Sequence, residues 1–593
     1  MARWFSLLVL FFLVASAAAQ HISAYKSPLG LAIDRHGKRA YVALHTAAAV
    51  AEVDLTSGKV IREIPVGRGP FDLAQAGDNL FVSCELDDAL VRIDLKKNTV
   101  VQRWRVGQAP RGVVALPGGR RVLVACHDDK IICAIDVATG KVFSVGVPGW
   151  PERLALDNSL DHAHVLALLR KPGEALVAEI GNTDAKAGPS VLFVSRLRDV
   201  SNARGLATPR QAFPSGLIAL QKPRTKVPAT QISQGWVFTN ILSPLALKVA
   251  NAYPESGPKM LDEPNRGFAD PSDVVVTALE RHAFVACAGA DTVLALRTGP
   301  FQKDKQIWAY SSGDDLTASR HYVVARLATQ ANPRRLTLSD DGKILVAANY
   351  LGDSLTVMDA EKMRVLRHIP LGGAAPDAAR RGEILFNSNK MTFHGQFTCA
   401  SCHPNGGADG LDWDLSRDGI GNPMNTRSLL GVKDTAPYGW LGNSLNLADR
   451  VSGTLRTLHH HEPQGTEVAD IVAYLKALPP PRPLPQGAAD APAIARGRAL
   501  FEGKGKCMNC HRRAALDDDT GHDVGSRIQG DHQDQFDTPS LRGVARTAPY
   551  LHHGQAKTLE EIFMTYNPLR RHGAAHRLTP AELADVIIYL KSL

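Results

Sequence analysis

Along the first two thirds of the chain, short runs of alternating apolar and polar residues are separated by Gly, Asp and Asn. LGLAIDRHGKRAYVAL, FDLAQAGDNLFVSC and RGVVALPGGRRVLVAC follow Pro28, Pro70 and Pro110. Each continues into a second alternating run with an acidic turn: EVDLTSGKV, RIDLKKNTV and AIDVATGKV. Period-two alternation with turn residues at the bends predicts short antiparallel strands. Pro28, Pro70, Pro110 and Pro151 lie 42, 40 and 41 residues apart, the mark of a repeat architecture. Four strands in a unit of that length make a propeller blade. The pattern returns after Pro271 and Pro333. It blurs between Asp157 and Asp270, a stretch that must hold two blades with long insertions, for example around 196–226, to complete about seven.

Past Gly372–Pro376 the alternation stops and helical spacing begins. Two copies of one plan follow. RRGEILF and ARGRALF open them, TRSLLGVKDTAPY and TPSLRGVARTAPY match at nine of thirteen positions, and EVADIVAYLKAL and ELADVIIYLKSL close them as amphipathic helices. The Pro-rich PPPRPLP segment is a stiff linker between the copies. The expected organisation is a leader at 1–19, an all-β propeller at 20–373, and two all-α, cytochrome c-like domains at 374–482 and 483–593.

Each copy carries C-x-x-C-H, as CASCH at Cys399–His403 and CMNCH at Cys507–His511. This spacing sets two thiols against one porphyrin edge and puts the next histidine beneath the iron, so it reads as c-type haem attachment. Two covalent haems are expected, on Cys399, Cys402 and His403 and on Cys507, Cys510 and His511. The opposite face of each iron decides its chemistry. Two strong protein ligands make an electron carrier, whereas an open face binds a small molecule. His461 and His576 each precede the glutamate of the closing helix by six residues and are matched candidates for that face. His572 competes equally with His576 in the second copy, with Met564 behind.

Composition adds the compartment. Arg3, the apolar Leu7–Val14 and Ala17-Ala18-Ala19 read as a secretion signal, and no later stretch is long enough to span a bilayer. A periplasmic or otherwise exported product is expected. Four cysteines lie outside the haem motifs. Cys84, Cys126 and Cys287 recur at one strand position and read as small buried residues, and an exported compartment permits a disulfide between Cys126 and Cys133, which can face each other across a hairpin. His45, His127, His162, His164 and His282 read as packed or surface residues. The net charge of +9 is spread along the chain, suits docking of an acidic redox partner, and forms no nucleic-acid-binding helix.

The blades, through YVAL at Tyr41, FVSC at Phe81 and LVAAN at Leu345, resemble the YVTN family of β-propellers. LFNSNKMTFHGQFTCASCHPNGGADGL, the NTRSL and TPSL pairs, Trp440–Gly442 and HGQAKTLEEI resemble the dihaem cytochrome c peroxidase family with its MauG-type branch. That resemblance implies peroxide binding at the first haem and relay of electrons from a small redox protein through the second. It implies a tryptophan bridge, by position Trp440, and a cation such as calcium, for which Asp409, Asp412, Asp414 and Asn425 are candidates. The family's distal glutamate falls near His460, two residues before Glu462, and these two are the expected acid–base groups. No histidine occurs from Pro404 to Leu458, where the family carries one. The alternative reading is an electron-transfer protein with both haems six-coordinate and the propeller as a docking module.

Overall fold

The computed structural model describes residues 25–34, 36–157, 164–171, 174–181, 190–198, 202–207, 216–224, 237–245, 258–277, 281–299, 316–414, 421–484 and 487–593. The expected leader, His162 and part of the 196–226 insertion lie outside the described residues.

Among the described residues, seven four-stranded antiparallel sheets span 28–65, 70–105, 110–146, 150–198, 202–260, 271–328 and 333–370. The stretch in which the repeat blurs thus holds the last three strands of the fourth blade and all of the fifth. Each blade is a meander of consecutive strands, so the ring closes by side-chain packing and not by a borrowed strand. Leu31, Val42 and Val53 of the first blade share a core with Val346, Leu355 and Ile369 of the last. The backbone N–H groups of Lys26 and Ser27 donate to Asp353 Oδ1 across the seam, at 3.1 and 2.7 Å. Cys84, Cys126 and Cys287 end the second strand of their blades and are buried. Cys126 and Cys133 lie on paired strands with their sulfurs 3.6 Å apart, but they form no disulfide.

Two residues after four of the blade-opening prolines stand Asp72, Arg153, Asp273 and Arg335, where the half-buried Arg335 pairs with the buried Asp72 and the half-buried Arg153 lies 3.9 Å from the buried Asp273. Burial pushes the Asp72 and Asp273 carboxyls up to about 6, against the pull of Arg153 on both. Arg153→Met is expected to cost about 3 kcal/mol, because it leaves two buried carboxylates short of their cation. The sign follows from the raised folded-state pKa: the loss is smallest below pH 4, where the carboxyls are protonated folded or unfolded, and largest above pH 6. Thermal unfolding of the variant across that range checks it.

Among the described residues seven α-helices follow the propeller: α1 (Ala378–Phe386), α2 (Cys399–Cys402), α3 (Leu447–Thr457), α4 (Glu467–Ala477), α5 (Ala491–Glu502), α6 (Leu559–Met564) and α7 (Pro580–Lys591). The sequence repeat is a structural one. α1 crosses α4 and α5 crosses α7, each pair tied by a matching ion pair, Arg381–Asp470 and Arg496–Asp585, both 2.7 Å. At each crossing stands the glycine of the repeated opening phrase. A Cβ on Gly382 would overlap the Asp470 carbonyl oxygen, and one on Gly497 that of Asp585. The helices therefore meet backbone to backbone.

The helical region sits on the propeller face formed by the starts of first strands and the turns between second and third strands. Arg380 of α1 is buried and donates to Tyr350 O and Asp353. Asn240 Nδ2 donates to Gln396 O at 3.0 Å. Phe238 packs on Phe397 and Trp413. The second copy reaches a different blade through Arg546–Asp128, at 2.9 Å.

Candidate haem centres

In the first copy Thr398 caps α2, and this single turn carries Cys399 and Cys402 with His403 at its end. His403 Nδ1 donates to Gly407 O at 3.2 Å, which leaves Nε2 free to face a metal. Burial pushes the His403 imidazole down to about 4, so it stays neutral, the form that ligates. In the second copy a 3-10 turn, Cys507–Asn509, takes the place of the helix. His511 Nδ1 donates to Leu516 O at 2.7 Å, repeating the arrangement. None of the four thiols is in a disulfide, and all are half-buried. These residues fit a covalent c-type haem.

The structure brings His459, not His460 or His461, to the first motif. α3 ends at Thr457, and a left-handed turn at His460 (φ 51°) sends three successive side chains in different directions. His459 points inward, 2% exposed, with Nε2 3.8 Å from Cys399 Sγ and Nδ1 3.0 Å from Thr392 Oγ1. Burial pushes its imidazole down to about 4. His460 is exposed. His461 is held by Glu467 Oε2 at 2.8 Å, and Glu462 faces solvent in an ion pair with Arg456. Of the residues expected at this face, His460 and Glu462 thus lie toward solvent and His461 rests on Glu467. Among the charges acting on His403 is Arg450, whose guanidinium lies 3.3 Å from where a Cβ on Gly439 would be. Sequence reasoning missed Arg450, whose only signal was its place in α3.

In the second copy His572 is the inward histidine. Burial and then the neighbouring His511 push its imidazole down to about 4, and its ring lies 5.4 Å from Phe563. His576 is exposed, as is Met564. The short turn Ala575–Arg577 holds His576, the expected counterpart of His461, at the surface.

Trp440 stands at the joint between the copies. Its Nε1 donates to Asn425 O at 2.7 Å, its carbonyl accepts from Asp537 N at 2.8 Å, and Arg427 lies 5.2 Å over its ring. Asn425 N in turn donates to His552 O at 2.6 Å, where His552 occupies the matching loop of the second copy. Arg427 reaches Asp537 at 2.9 Å. Around this joint Asp412, Asp414, Asn422 and Asn425 each keep a buried Oδ1 without a hydrogen-bond partner, whereas Asp409 is occupied by Trp413 Nε1 and Leu411 N. Among the described residues the one cluster of His, Cys and acidic groups with metal-ligand spacing is Cys510, Asp518 and His522, and Cys510 belongs to the second haem motif.

A propeller carrying helical domains with paired thiols and a neutral histidine on one turn defines a c-type haem redox protein with a propeller platform. The Cytochrome c family matches residues 494–593. The chain is 28% identical to hydrazine synthase subunit gamma of Kuenenia stuttgartiensis, over 37% of this chain and 78% of that one. It is 25% identical to the methylamine utilization protein MauG of Methylorubrum extorquens, over 37% and 78%. A solved structure of Kuenenia stuttgartiensis hydrazine synthase matches 58% of this chain and 98% of that chain, with a TM-score of 0.51 and 23% identity, a likeness of fold. The protein is thus a relative of MauG and the cytochrome c peroxidases, with a seven-bladed propeller ahead of its haem domains.

Proposed function

We propose that this chain is an exported two-haem oxidoreductase of the peroxidase type, one haem on Cys399, Cys402 and His403 and the other on Cys507, Cys510 and His511. A haem bound at such a motif supplies a one-electron couple and, where one face stays open, a seat for peroxide. The observation that carries the reading is an asymmetry. The half-buried His572 feels the charge of His511, whereas His403 feels the cation Arg450. His572 would close the second centre as a relay. Arg450 would leave the first open and attract an anionic ligand.

His459 takes the acid–base role at the first centre. A polar cleft of about 380 Å³, lined by Asn265, Arg266, Asn389, Thr392 and His394, opens at the seam between propeller and first haem domain. Thr392 connects that cleft to His459 Nδ1, giving protons a route from solvent. Trp440, tied to both copies, carries electrons between them. A small acidic redox protein delivers those electrons, in keeping with the net charge of +9. The four unpartnered oxygens of Asp412, Asp414, Asn422 and Asn425 suit a hard cation such as calcium, which takes six to eight oxygen ligands. It would stiffen the joint beside Trp440. The secretion signal and the extracytoplasmic chemistry of haem attachment support export, and no helix among the described residues is long and apolar enough to cross a membrane.

The test is the electronic and electron-paramagnetic-resonance spectrum of the purified holoprotein, oxidised and half-reduced, with and without peroxide. A high-spin ferric signal that responds to peroxide, and is lost in a Cys399→Ser/Cys402→Ser variant, is the expected result. Two low-spin signals, unmoved by peroxide in both states, would sink the peroxidase reading and leave an electron carrier.

A further inference from the structure

The carboxylate of Asp270 belongs to the propeller, just before the sixth blade, in a left-handed backbone conformation (φ 54°). It is 3% exposed. Its two oxygens grip both ends of α2: Oδ2 accepts from Thr398 Oγ1 at 2.6 Å, and Oδ1 accepts from Ser401 Oγ at 2.8 Å. Thr398 and Ser401 are themselves the capping pair of that helix, Thr398 N donating to Ser401 Oγ at 3.0 Å. They directly precede Cys399 and Cys402. Among the described residues no Lys, Arg or His pairs with Asp270. Behind burial, its charge is among the causes that raise the pKa of both the Cys399 and the Cys402 thiol, so its field reaches the attachment edge.

We infer that Asp270 is a positioning residue of the first haem site, supplied by the propeller, and that its buried negative charge lowers the reduction potential of the haem held there. The physical reason is electrostatic: oxidised iron carries one more positive charge than reduced iron, and an uncompensated carboxylate in a poorly screened interior favours it. The hydroxyls of Thr398 and Ser401 do two things at once. They fix the turn that carries the cysteines, and they partly neutralise the charge. The propeller thereby belongs to the electrostatics of the first centre. The inference rests on the reading that Cys399–His403 carries a haem.

The experiment uses the full chain as wild type, Asp270→Asn and Ser401→Ala. Haem per chain is counted first by pyridine haemochrome, and each centre is then titrated spectroelectrochemically at pH 8. Two haems per chain are expected throughout. Asp270→Asn should raise the first-haem potential by about tenfold in the reduced-to-oxidised ratio, ~59 mV for a one-electron couple. Ser401→Ala keeps the charge and removes a donor, so the same haem should move the opposite way, with the second haem unmoved in both. Shifts of one sign in both variants, or no shift, would overturn the inference by reducing Asp270 to a strut. If Asp270→Asn loads no first haem, the sign in Ser401→Ala decides alone. One haem per wild-type chain, with Cys399 unmodified, would instead remove the two-haem reading on which the inference stands.

Discussion

Gly382→Ala is expected to prevent the first haem domain from folding. The position has no slack: a methyl group there meets the Asp470 carbonyl oxygen of α4, backbone and not a movable side chain. Relief requires α1 and α4 to separate. That breaks the Arg381–Asp470 pair and opens the core in which Phe386, Ile471 and Leu475 are buried. Overpacking of this kind costs roughly 3 kcal/mol or more, a large share of a domain's stability. The expected readout is a protein with half the normal haem per chain and a lost unfolding transition. Gly497→Ala, against Asp585, should do the same to the second domain. Wild-type haem content and thermal stability in both variants would refute the backbone-contact account.

His572→Ala should change the second centre completely, and His576→Ala should not change it. His572 is the half-buried imidazole that feels the charge of His511, and desolvation holds it neutral, the state in which a histidine binds iron. Its removal leaves an open face, and the low-spin signal of the second haem should convert in full to high spin. His576 lies at the surface, so its loss should leave both spectra as they were. Electron-paramagnetic resonance of the two variants separates these outcomes. Conversion in His576→Ala alone would reverse the assignment.

The contrast between His572 and His576 marks where sequence ceases to be legible. Repeated phrases carried the architecture: blade-opening prolines are the starts of first strands, and RRGEILF and ARGRALF are the paired helices α1 and α5. The grouping of thiols and histidine on one turn was equally legible, because C-x-x-C-H is a contiguous signal. The opposite face is not contiguous. Which of His459, His460 and His461 points inward depends on one left-handed residue after α3, and no periodicity encodes it. Asp270 gave no local signal either. It lies over a hundred residues from the helix it holds, in a stretch that reads as an ordinary blade opening.

The two helical copies touch the propeller on different blades, the first through Asp353, Asp270 and Asn240, the second through Asp128. A rigid ring gripped at separate points works as a jig. The copies cannot draw apart or rotate about Trp440 without surrendering one of these grips. The separation of the two C-x-x-C-H turns is therefore set as much by the propeller's diameter as by the joint itself.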